Sequence, residues 1–143
     1  MNMADMYVIK DDIKVACVRA LSFPEGIGGA WAKLFSLLPS QEGRKLYGIS
    51  YGGENGKITY MAAVEELHEG EADQLGLENF VVRKGNYVSE FLEDWRKDET
   101  QIGKTFAELL KDPRIDRNEG YCLEMYLNSK DVLCLVKLDA PNA

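Results

Sequence analysis

The chain has a single histidine, three cysteines and four prolines in 143 residues, and each scarcity closes off a class of function. With His68 alone, a multi-histidine metal site cannot be assembled, and a histidine-based catalytic triad is not expected of a residue set in an acidic loop. Cys17, Cys122 and Cys134 are scattered and form no C-x-x-C pair. That excludes a disulfide framework, a zinc ribbon and a thioredoxin-type motif, and a reduced compartment is expected. Basic residues are outnumbered, 17 against 24 acidic, for a formal net charge of -7. Binding nucleic acid through its phosphates needs the opposite sign, so no direct nucleic-acid binding and no membrane binding are expected. No basic stretch followed by an apolar run opens the chain, and no run is long enough to cross a bilayer; a cytoplasmic location is the expectation. Gly26-Ile27-Gly28-Gly29 lacks both the G-x-G-x-x-G spacing and a Walker lysine. Asp116-x-Asn118-x-Gly120 would need a closing glutamate where Leu127 stands. No metal site and no cofactor are expected.

What is present is an ordinary globular composition, 45% hydrophobic and 29% charged. The length suits one domain over residues 1–143. Ile13–Leu21 is β-branched and reads as a strand. A helix over about 28–38 follows, with Trp31, Leu34, Phe35 and Leu38 on one stripe and Pro39 as a stop. Lys45–Tyr51 and Lys57–Glu66 are strands around a Gly- and Asn-rich hairpin at 52–56. The second half repeats that order. Asn79–Arg83 and Tyr87–Asp94 read as strands, and about 100–111 as a helix with Ile102, Phe106, Leu109 and Leu110 inward. Tyr121–Leu127 and Val132–Leu138 read as two more strands. Ile27-Gly28-x-x-Trp31-Ala32-x-Leu34 recurs as Ile102-Gly103-x-x-Phe106-Ala107-x-Leu109, an offset of 75 residues. The expected fold is therefore α+β: two βαββ pseudo-repeats, about 7–70 and 76–139, forming one antiparallel sheet with two helices and a central groove.

Glu124 is the residue that most invites a functional reading. It interrupts the apolar run Tyr-Cys-Leu-Glu-Met-Tyr-Leu (121–127), where strand alternation groups it with Cys122 and Tyr126. A charge facing water on an edge strand is one explanation. The other is a pocket carboxylate, serving as counter-charge to a cation or as a general base whose pKa is raised by burial. Continuing the 75-residue offset puts Tyr47, Ile49 and Tyr51 on the face of Cys122, Glu124 and Tyr126. Tyr60, Trp95 and Tyr87 are within reach of a shared groove. Aromatic walls beside a carboxylate suit a flat lipophilic cation. Trp31 and Phe106, at matching helix positions, are expected to be mainly structural. His68, among Glu65, Glu66, Glu69 and Glu71, reads as a solvated loop.

Three stretches carry a resemblance to a known family. They are Lys45-Leu-Tyr-Gly-Ile-Ser-Tyr51 with Ile58-Thr-Tyr-Met-Ala-Ala-Val64, Gly76-Leu-Glu-Asn-Phe-Val-Val-Arg-Lys-Gly-Asn-Tyr87-Val, and Cys122-Leu-Glu-Met-Tyr126. In order and spacing, over about 13–139, they resemble the GyrI-like family, the AraC-type effector-binding domains built from two SHS2-type modules. The resemblance implies a groove that binds lipophilic, often cationic compounds, with the family's glutamate falling on Glu124 and a tyrosine on Tyr60. Together with the residue reading above, the expectation is a stand-alone sensor or sequestering module whose ligand meets Glu124 and Tyr60, with Tyr47, Tyr126, Trp95 and Tyr87 as further candidate walls. A small hydrolase of electrophilic xenobiotics, with Glu124 as general base, is the alternative. A gyrase-inhibitor-like factor acting on a protein partner is the third reading.

Overall fold

The computed structural model describes residues 5–40, 42–52, 56–116 and 120–139. Eight strands run among them: β1 (Asp5–Ile9), β2 (Ile13–Arg19), β3 (Leu46–Gly52), β4 (Ile58–Glu65), β5 (Glu78–Val82), β6 (Gly85–Leu92), β7 (Cys122–Tyr126) and β8 (Val132–Lys137). They form one antiparallel sheet in the order β1-β6-β8-β7-β3-β4-β2-β5. The helices are α1 (Ile27–Leu37), α2 (Glu71–Leu75) and α3 (Thr100–Leu109), with a 3-10 turn at Trp95–Lys97. The middle of the 52–56 hairpin and Asn118 lie outside the described residues.

The strand order is symmetric about the β7–β3 seam, as a duplicated unit requires. Each half contributes strand, helix, strand, strand, and β1 and β5 dock across onto the other half. β1 pairs with β6, and β5 with β2. β1 and α2 are the elements that periodicity did not reveal. Both are only five residues long, too short to show a period.

The sheet has two covered faces. On one, α1 packs on β2 and β4 through Ala30, Leu34 and Leu38, while α3 packs on β6 and β8 through Phe106 and Leu109. Leu110, expected on the buried stripe, is the α3 C-cap residue and is exposed. Among the described residues the other face carries no helix; it buries Val15, Tyr47, Ile49, Tyr87, Leu123 and Leu135 as a separate cluster, which the curl of the sheet encloses. The central strands β3 and β7 lie between α1 and α3.

The 75-residue offset holds for the helices but not for the strands. In the β3–β7 ladder Gly48 is the partner of Glu124 and Tyr47 that of Met125. Directly opposed residues share a face, so the strands of the two halves match at an even offset. Relative to the helices the register moves by one residue, and a one-residue slip sends every side chain to the other face. Tyr47, Ile49 and Tyr51 therefore point away from Glu124.

Candidate functional site: a buried carboxylate in an aromatic box

Glu124 sits in mid-strand on β7, with Gly48 of β3 on one side and Cys134 of β8 on the other. The site is built on the helix-bearing face at the seam between the two halves. The carboxylate is 8% exposed. Its Oε1 accepts hydrogen bonds from the hydroxyl of Tyr126 and, at 3.5 Å, from that of Tyr60. The Tyr60 hydroxyl in turn accepts the Trp31 Nε1–H at 3.0 Å. Among the described residues no basic side chain pairs with Glu124.

The rings assemble from both halves. Trp31 of α1 meets Tyr126 edge-on, centroids 5.7 Å apart at 88°. Trp95, from the 3-10 turn, lies 5.8 Å from the same ring. Phe23, just ahead of α1, stands 6.2 Å from Tyr60, and Phe35 lies 5.6 Å from Trp31. The small residues in the floor matter as much. A Cβ at Gly48 would stand 2.5 Å from Glu124 Oε1 and 2.6 Å from the Tyr60 hydroxyl, closer than side chains approach without displacement. Only glycine leaves room for both groups over β3.

The electrostatics follow from the packing. Burial pushes the Glu124 carboxyl above its ordinary range, partly offset by the hydrogen bonds from Tyr126 and Tyr60. Burial, and then the nearby Glu124 charge, raise both phenols well above the usual range, so they remain hydrogen-bond donors at neutral pH. Burial likewise pushes the Cys122 thiol up to about 11, and Cys134 rises for the same reason; neither is a poised thiolate.

Of the residues singled out from the sequence, the fold brings together Glu124, Tyr60, Tyr126 and Trp95. It does not bring Tyr47 or Tyr87 there. Both belong to the opposite face, where Tyr87 is hydrogen-bonded to the Tyr121 hydroxyl at 2.6 Å and to the Arg83 carbonyl. Tyr47 instead lines a depression of about 640 Å3 with Tyr7, Glu65 and Met125. Trp31 is not merely a core residue: half-buried, it both packs α1 and orients Tyr60. Phe106 is buried in the core, as expected. Gly48 and Phe23 are not singled out by the sequence, and Trp31 is read there as core. A glycine in the middle of a β-branched and aromatic strand was the one available signal, since it marks close approach by another group.

No family model matches the chain, and no curated protein does. Solved structures do. An integron cassette protein, VCH_CASS2, from the mobile metagenome of Vibrio cholerae superposes with a TM-score of 0.67 at 16% identity, over 96% of this chain and 97% of its own. SAV2435, determined bound to tetraphenylphosphonium, gives a TM-score of 0.69 at 9% identity, covering 97% of this chain and 94% of that one. At such identities what is shared is the fold, and it is shared end to end.

Proposed function

We propose that this chain is a GyrI-like effector-binding module that takes up lipophilic, aromatic cations in a sensing or sequestering role, with Glu124 as counter-charge. The observation that carries the reading is a carboxylate buried in an aromatic box, hydrogen-bonded by two tyrosines and ion-paired to nothing among the described residues. Such a group is costly to keep in a core, and a ligand cation would supply the missing charge. Trp31, Tyr60, Tyr126 and Trp95 would supply ring faces for it. The shared fold with a protein bound to tetraphenylphosphonium supports the same class of ligand. With Glu124 shut away from solvent, a ligand would enter by parting the two rings that meet Tyr126, Trp31 and Trp95. Both are only partly buried, so this movement opens no deep core.

Calorimetric titration with tetraphenylphosphonium tests the reading. Glu124→Gln keeps the shape and removes the charge. It is expected to weaken binding by about 1–3 kcal/mol, the scale of a hydrogen bond or contact to a charged group. Binding of neutral triphenylphosphine oxide should change little. Since the free carboxyl has a raised pKa, cation affinity should fall as the pH drops through that value. Equal tetraphenylphosphonium binding by parent and variant would overturn the reading. Turnover of an electrophilic substrate by the parent, lost in Glu124→Gln without loss of binding, would favour a hydrolase instead.

A further inference from the structure

The two tryptophans that flank Tyr126 differ in one respect. The Trp31 indole N–H is used by the Tyr60 hydroxyl. The Trp95 indole Nε1 is shut away from solvent and has no acceptor; it is the only buried side-chain nitrogen or oxygen so left among the described residues. Buried donors are paired in native proteins with few exceptions, and an exception needs a reason.

Trp95 is not loosely held. Its backbone N–H donates to the Lys130 carbonyl at 2.9 Å. The Arg96 guanidinium lies 4.6 Å over its ring, and Arg96 Nε–H donates to the Ser129 carbonyl at 3.1 Å. The preceding Asp94 adopts φ 51°, the left-handed region, and is the only non-glycine residue to do so among those described. Its N–H is fixed by Asp131 Oδ1 at 3.0 Å. The chain thus accepts an unfavourable backbone conformation to set Trp95 against the box, with its N–H still unspent.

Resting on the reading of Glu124 as counter-charge, we propose that Trp95 reads a hydrogen-bond acceptor on the ligand. The ligand class is then narrower than lipophilic cations: aromatic cations that also carry a carbonyl or ether oxygen. Glu124 takes the charge, the Tyr126 ring lies between, and the Trp95 N–H takes the oxygen.

The experiment uses two phosphonium cations of equal bulk, (4-acetylphenyl)triphenylphosphonium and (4-isopropylphenyl)triphenylphosphonium. The parent should bind the acetyl compound about tenfold more tightly, the gain expected when a buried donor acquires a neutral acceptor. Trp95→Phe, which keeps a ring and deletes the N–H, should bind the two alike. The chain has two tryptophans, so the unmodified protein gives a second readout by proton–nitrogen NMR. The Trp95 indole N–H resonance should move downfield with the acetyl cation and not with the isopropyl one, while Trp31 responds alike to both. Equal affinities in the parent, or a preference that survives Trp95→Phe with the Trp95 resonance unmoved, would overturn the proposal. Binding of neither cation would overturn it together with the cation-binding reading. Affinities for both cations left unchanged by Glu124→Gln, with the Trp95-dependent preference intact, would keep the acceptor role and remove the counter-charge role.

Discussion

Glu71 and Glu124 are two buried carboxylates, 5% and 8% exposed, with opposite chemistry. Glu71 opens α2 and is gripped by both terminal nitrogens of Arg44 at 2.7 Å, with the Leu67 N–H at 3.0 Å completing its shell. The Arg44 guanidinium holds its carboxyl well below the usual range, at about 2. Glu124 has only phenols for company, and burial pushes its carboxyl upward instead. Similar exposure with opposite shifts reflects partner and depth together: Glu71 lies near the surface against a guanidinium, whereas Glu124 lies deep among phenols, where burial is the largest cause of its shift. Glu71 is finished in the folded chain. Glu124 is satisfied as a hydrogen-bond acceptor but not as a charge.

The largest way to break this comparison is at the finished end. Glu71→Ala leaves Arg44 buried and uncompensated, and should cost about 3–5 kcal/mol in denaturant unfolding. The pH dependence has a definite sign. A depressed pKa contributes stability above the unfolded carboxylate value of about 4.3, and that stability is lost as the pH falls toward about 2. Parent and variant should therefore converge in acid. Gly48→Ala comes next. Its Cβ would collide with Glu124 Oε1 and the Tyr60 hydroxyl, for an expected loss of about 1–3 kcal/mol, together with loss of tetraphenylphosphonium binding in the same titration. An unchanged affinity in this variant would mean that the floor over β3 is not part of the ligand site.

Smaller effects sharpen the contrast. Trp31→Phe keeps a ring beside Tyr126 but removes the donor to Tyr60, and should cost about 1 kcal/mol, read by denaturant midpoint. The smallest effect has the reverse sign. A raised acid pKa contributes stability below the unfolded value, and loses it as the pH rises through the folded one. Glu124→Gln should therefore be slightly more stable than the parent at pH 8, by roughly 1 kcal/mol or less, with the difference closing toward pH 4. Thermal melts at the two pH values measure it. A Glu124→Gln protein less stable than the parent at pH 8 would place Glu124 with Glu71, among the structural acids.

Much of this was legible along the chain. The two longer helices, seven of the eight strands and the duplicated order came from local periodicity and turn residues, signals that each segment carries by itself. Glu124 was legible because a charge in an apolar strand violates its own neighbourhood. Tyr126, two residues on, came with it by alternation. Tyr47 was misplaced because the offset read from the helices differs by one residue from that of the strands, and no segment records where a gap falls in a connection. Glu71 passed as a loop residue because its meaning depends on Arg44, 27 residues away.

The sequence by itself determined the two longer helices and all strands but β1, that the order is duplicated, and that residue 124 is anomalous, since periodicity and composition act over a few residues. Only the tertiary structure decided which aromatics surround that residue, that Gly48 makes room for it, that Trp31 and Trp95 meet the Tyr126 ring from opposite halves, and that Arg44 answers Glu71 while no described cation answers Glu124. Cross-strand register and helix docking set those distances, and both arise from contacts between residues far apart in the chain.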